Sequence, residues 1–144
     1  MELSRDIQGT PTMFFDCLLN ALMEDVEQSV HTVLHRSKLK EGFHYQKQLN
    51  NKLGKSGNVR VEITTLKEPF AYEATFSSAQ GINTLSYCAE ILDDHHIRVT
   101  YGEDFMSPSK SKTMNYKIMS RLYKRSSIRK ANLTLDRLEQ YMKK

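Results

Sequence analysis

His31 and His35 stand four residues apart, and on a helix that spacing brings two imidazoles to one face, the geometry of a two-histidine metal pair. No carboxylate or cysteine is placed to complete the set, and the glutamate of a zinc-protease helix is missing. The pair is read as surface or packing histidine, with no metal site. Gly54-Lys55-Ser56 has the ending of a phosphate-binding loop, but position 49 is Leu where that loop needs Gly. The stretch also lies in a hairpin, whereas the phosphate loop sits between a strand and a helix. His95 and His96 are adjacent, so a strand sends them to opposite faces. Asp93 and Asp94 beside them are ordinary turn residues. The chain holds no nucleophile elbow, no dinucleotide fingerprint and no paired carboxylates of defined spacing. No catalytic set and no cofactor follow, and an enzyme ranks behind a binding or interaction protein.

Two groups of residues remain that could do chemistry by binding. Tyr45, Phe76, Tyr87 and Tyr101, with the helical stripe Met114, Ile118, Met119 and Leu122, are candidates to line a cavity for a small apolar ligand. Each buried tyrosine hydroxyl needs a hydrogen-bond partner that a ligand or water supplies. The competing reading makes the same residues amphipathic core with their tips at the sheet rim. The second group is basic. Residues 1–109 hold 10 Lys/Arg against 15 Asp/Glu, while residues 110–144 hold 11 against 2. The net charge of +4 thus hides a C-terminal segment at +9. Arg121, Lys124, Arg125, Arg129 and Lys130 form a candidate patch for an acidic partner, nucleic acid or an anionic membrane. Against it stands a solvated helix face that settles on the acidic remainder of the chain.

The elements that must position these groups follow from periodicity. From Phe43 to Phe105 the chain alternates with period 2, which places Val59, Val61 and Ile63 on one face. Phe70, Tyr72, Ala74 and Phe76 share a face in the next run, then Leu85, Tyr87, Ala89 and Ile91, then Ile97, Val99, Tyr101 and Phe105. One apolar face and one polar face per strand mark an antiparallel sheet with a wet side. The links at 50–58, 67–69, 80–81 and 93–95 are too short for crossover helices, so a five-stranded meander is predicted. Residues 2–8 read as a further strand. Thr10 and Pro11 then open an amphipathic helix to about Gln28, with Phe14, Leu18, Leu22 and Val26 on its apolar face. Val30 to Glu41 is ambiguous, with a short turn or half-helix near Leu39. Nearly continuous helix is predicted from about 112 to 143, with Ser126-Ser127 as the place where a kink or break would fall.

The fold class is thus α+β, a curved antiparallel sheet of about six strands wrapped around a long C-terminal helix. At 144 residues one domain, 1–144, is expected, and about 68–70% of the unfolded surface can be buried at this size. Cys17 and Cys88 have neither metal nor redox spacing, so free thiols and a cytoplasmic setting are expected. No apolar run is long enough for a transmembrane segment.

The order strand, helix, short helix, meander, long helix resembles the START-like (birch-allergen-like, SRPBCC) helix-grip superfamily. Within it the chain resembles a Gram-positive bacterial family known as a domain of unknown function. The stretches that carry this are Pro11 to Gln28, Leu39-Lys40-Glu41-Gly42-Phe43-His44-Tyr45-Gln46-Lys47, and Met114 to Arg129. The resemblance implies a cavity between sheet and helix, where relatives hold lipids, steroids and polyketides and some catalyse cyclisation or dehydration. It implies no catalytic residue in this sequence, because no known catalytic set maps onto it.

Overall fold

Thr10 takes an extended backbone and its hydroxyl accepts the Met13 N–H at 3.2 Å, so one of the orphan donors of a helix start is satisfied. Pro11 occupies the first helical position, where its missing N–H costs nothing. In the computed structural model the helix that follows, α1, spans Pro11–Val30. The structure describes residues 1–50, 56–106 and 113–143, with side chains described for all of these except 49, 50, 56 and 113–127. Helix α1 stops at His31, which adopts a left-handed conformation (φ 58°) while its N–H reaches back to the Glu27 carbonyl at 2.8 Å.

The other elements are β1 (Glu2–Gln8), β2 (His44–Asn50), β3 (Ser56–Lys67), β4 (Ala71–Ser78), β5 (Gly81–Asp93), β6 (His96–Met106) and α2 (Thr113–Met142). A 3-10 turn at Arg36–Lys38 occupies the ambiguous stretch after α1. The strands form one six-stranded antiparallel sheet in the order β1-β6-β5-β4-β3-β2, and the expected curved sheet with a C-terminal helix is what the chain builds. Bulges interrupt the registers between Ile63 and Thr65 and between Ile91 and Asp93, where an extra residue bends a strand. Helix α2 passes through Ser126 and Ser127 without a break.

The apolar phase of each strand faces inward. Ile7, Ile63, Ala74, Tyr87, Ile97 and Val99 pack with Phe14, Phe15 and Leu19 of α1 and with Ala131, Leu135, Leu138 and Met142 of α2. A smaller cluster joins Val26 of α1 to Tyr45, Val59 and Val61. Burying such side chains contributes roughly 1.5–3 kcal/mol each.

The alternation fails at strand ends. Phe70, Ile91 and Phe105 hold the apolar phase yet are 40–58% exposed. The register gives the reason: Phe70 lies in the turn before β4, and β5 and β6 pair from Asp93↔His96 to Ile82↔Met106, whereas the ladder of β4 on β5 begins at Ala71↔Cys88 and that of β1 on β6 at Glu2↔Gly102. Side chains beyond those points overhang their neighbours. The histidine pair does not lie on one helix either. His31 caps α1 and His35 precedes the 3-10 turn.

Candidate functional site

Two of the four strand residues named as candidates come together with one that was not. Across β6, β5, β4 and β3 the register aligns Tyr101 with Tyr87, Tyr87 with Tyr72, and Tyr72 with Leu66. Leu3 closes the row on β1. The result is a ladder of three tyrosines over the centre of the inner face, with ring centroids 5.2 Å apart for Tyr87–Tyr101 and 6.3 Å for Tyr72–Tyr87. Phe14 of α1 lies against Tyr87 at 5.8 Å. Such tilted and edge-on pairs match the ring quadrupoles and add roughly 0.5–1.5 kcal/mol each beyond area burial. All three rings are buried.

The hydroxyls are less uniformly satisfied. Tyr101 donates to Glu103 Oε2 at 2.9 Å, and Asn83 Nδ2 donates to Glu103 Oε1 at 3.0 Å. Tyr72 and Tyr87 have no hydrogen-bond partner among the described residues, and neither hydroxyl is sealed off from space outside the protein atoms. Burial, then the charge of Asp25, pushes the Tyr72 phenol far above its usual range. Tyr87 is raised by burial, with Tyr72 and Glu103 adding to it. Both are therefore held as neutral donors.

Tyr45 sits at the other end of the inner face, in the row Tyr45, Val61, Phe76, Asn83, Phe105. Its hydroxyl donates to Asp25 Oδ2 of α1, and Lys47 Nζ donates to the same oxygen at 3.1 Å. Burial first, then the bond to Asp25, raises the Tyr45 phenol strongly. Lys47 also lies 5.5 Å from the centroid of half-buried Phe76. The hydroxyls thus form an interior polar line running from Asp25 towards Glu103 through a mainly apolar face. An apolar body carrying oxygen acceptors has donors to meet there.

Met114, Ile118, Met119 and Leu122 lie outside the residues whose side chains are described, and so do Arg121, Lys124 and Arg125. Arg129 and Lys130 are exposed and have no ion-pair partner among the described residues. The acidic residues near them are engaged elsewhere: Asp136 with Arg5 at 2.5 Å, and Glu139 with Arg5 at 3.9 Å and Lys143 at 3.6 Å. Between Arg129 and Arg137 in the chain, Leu133 is 51% exposed. Among the described residues no three His, Cys, Asp or Glu side chains group as metal ligands, and no helix is long and apolar enough to cross a membrane. Cys17 and Cys88 are free.

Sequence reasoning missed Tyr72, Asn83, Glu103 and Asp25 as site residues. Tyr72 is in phase with the others and detectable by the same rule. Asn83 and Glu103 are polar residues on an otherwise apolar phase, and that interruption is the signal that marks them. Asp25 carries no such mark, because only the packing of α1 on β2 brings it to Tyr45.

Comparison with known proteins agrees with this fold. Among solved structures the chain is similar to a protein of unknown function, SA2116 from Staphylococcus aureus, at 11% identity and TM-score 0.61, covering 99% of this chain and 93% of that one. It is similar to TTHA0849 from Thermus thermophilus at 11% identity and TM-score 0.62, covering 99% and 95%. The allergen Ara h 8.0201 matches at 15% identity and TM-score 0.54, covering 99% and 97%. These likenesses establish the α+β helix-grip fold. No protein of curated function matches the chain. The family model described as a domain of unknown function, DUF3284, matches residues 1–124, and the chain belongs to that family.

Proposed function

We propose that the chain binds a small, largely apolar molecule bearing hydrogen-bond acceptors, held between the tyrosine ladder and the C-terminal helix. The observation that carries this is the pair of Tyr72 and Tyr87 hydroxyls, set in buried rings without a partner among the described residues. Each hydroxyl opens onto space beside a mainly apolar face, where water or the acceptor of a ligand can take its hydrogen bond. Tyr45, Phe76 and Tyr101 flank the same face, and the stripe Met114, Ile118, Met119 and Leu122 supplies its cover in this reading. The test is competition against 8-anilinonaphthalene-1-sulfonate fluorescence by 9-fluorenone and by fluorene, which differ in one carbonyl. Fluorenone should compete better, and Tyr72→Phe with Tyr87→Phe should erase that preference, at about tenfold or less per hydroxyl. Absence of probe binding, or a preference indifferent to both substitutions, overturns the reading. In this reading the domain spans 1–144 and works in a reducing cytoplasm, which the two free thiols support.

A second reading rests on a separate observation. Among the described residues Arg129 and Lys130 are unpaired, while Asp136 and Glu139 are bound to other cations. A basic face of Arg121, Lys124, Arg125, Arg129 and Lys130 would then meet an acidic partner, nucleic acid or anionic membrane. Vesicle co-sedimentation and DNA gel shift at low salt test it. Each neutralised phosphate of duplex DNA contributes about −0.9 to the slope of log affinity against log salt. Replacing Arg125, Arg129 and Lys130 by Gln should abolish binding with the fold retained, since Gln keeps good helix propensity.

A further inference from the structure

The strand order leaves β2 at one edge of the sheet. Ile63 N–H donates to the Phe43 carbonyl at 2.9 Å. From that link the register runs Tyr45↔Val61 and Lys47↔Val59. In an antiparallel ladder residues alternate between exchanging both bonds with the partner and turning both groups away. Tyr45 and Lys47 therefore bond to β3, while His44, Gln46 and Gln48 turn N–H and C=O outward.

Among the described residues the usual guards of an exposed edge are missing or occupied. An edge is commonly blunted by proline, by a very short strand or by a free lysine. Strand β2 has seven residues and no proline, and its lysine, Lys47, is tied to Asp25. Beside the edge, Asp25, Gln28, Ser29 and His31 of the α1 end form a cleft of about 640 Å³ with Gln46, Lys47, Gln48 and Asn58. A helix flank set along an open edge strand is the arrangement in which an extended peptide adds to a sheet.

Charge selects the peptide. Glu24, Asp25 and Glu27 lie near the C-terminus of α1, where the helix dipole is negative, and its last turn holds no basic residue. Among the cleft's described lining residues Lys47 is the sole lysine or arginine, and Asp25 already binds it. A cation brought to this end is favoured and an anion is not.

We propose that the β2 edge and the α1 end take an extended segment of another protein, paired to Gln46 and Gln48 as an added strand and carrying Lys or Arg beside the helix terminus. This stands independently of the ligand reading. The test is selection of a phage-displayed random dodecapeptide library on the full chain. Enriched peptides should alternate β-branched residues and carry a basic side chain. Gln46→Pro and Gln48→Pro should each weaken a synthesised winner tenfold or more, because proline removes an outward N–H that β3 does not use. Gln28→Lys should weaken it several-fold at low salt and less at high salt. Should either proline variant unfold, hydrogen exchange on the wild-type chain decides, with the Gln46 and Gln48 amides slowing when the peptide binds. No enriched peptide, winners that are acidic, winners indifferent to both proline variants, or unchanged exchange at both amides overturns the proposal.

Discussion

Tyr101 and Glu62 test the inner and outer faces one side chain at a time. The Tyr101 ring is 4% exposed beneath Tyr87, whereas Glu62 points to the wet face and pairs with Arg60 at 2.9 Å. Tyr101→Ser should cost about 2–4 kcal/mol by chemical denaturation. Glu62→Ser should cost about 0.5 kcal/mol or less, as for a partly exposed ion pair. The buried phenols make a second prediction with a fixed sign. Tyr45, Tyr72 and Tyr87 have folded pKa values raised above the ordinary value of 10.0. Their contribution is fully present below about pH 10 and is lost as pH rises above it, because the unfolded chain ionises first. The loss is about 1.4 kcal/mol per pH unit for each such tyrosine. Denaturation midpoints should fall from about pH 10 upward, and Tyr45, Tyr72 and Tyr87 should resist ionisation, read by ultraviolet difference absorbance against their Tyr→Phe variants, until the chain unfolds.

Elements were the most legible level, because periodicity and capping are local. Thr10-Pro11 start α1 where the cap pattern places them, and Thr10→Ala should cost about 1 kcal/mol. The strand phases hold wherever a neighbouring strand lies on both sides. They fail at Phe70, Ile91 and Phe105, because overhang depends on how far adjacent strands run, which no single strand encodes. The site was legible only in part for a similar reason. The phase of Tyr87 and Tyr101 is local, but the meeting of Asp25 with Tyr45 and Lys47 is a product of helix packing. Turns give a sharper test. Gly81 has φ +143°, and a Cβ there would lie 2.2 Å from the Met106 carbonyl oxygen. Gly81→Ala should cost about 1–3 kcal/mol, the scale of a strained backbone. Gly57, with open space around it, should accept Ala with little change in denaturation midpoint.

At the scale of the molecule, one half-buried side chain joins first strand to last helix. Arg5 donates to Asp136 at 2.5 Å and to the Asn132 side-chain carbonyl oxygen at 2.8 Å. Arg5→Met should cost about 1 kcal/mol and loosen the end of α2, read as faster amide exchange around 132–139. Strand β1 has a further consequence. The pairs within the β2 to β6 meander form between consecutive strands, but β1 pairs with β6, Glu2 opposite Gly102 and Gln8 opposite His96. During synthesis β1 leaves the ribosome long before its partner exists, and its N–H and C=O groups stay open to other chains meanwhile. Closing that long loop is an entropic step that the local hairpins do not face, so β1 should dock late. Ile7→Val should then speed unfolding and leave the folding rate nearly unchanged in stopped-flow kinetics, whereas Ile63→Val in the meander should slow folding. The chain's time of greatest exposure to aggregation is therefore the interval in which its first strand waits for its sixth.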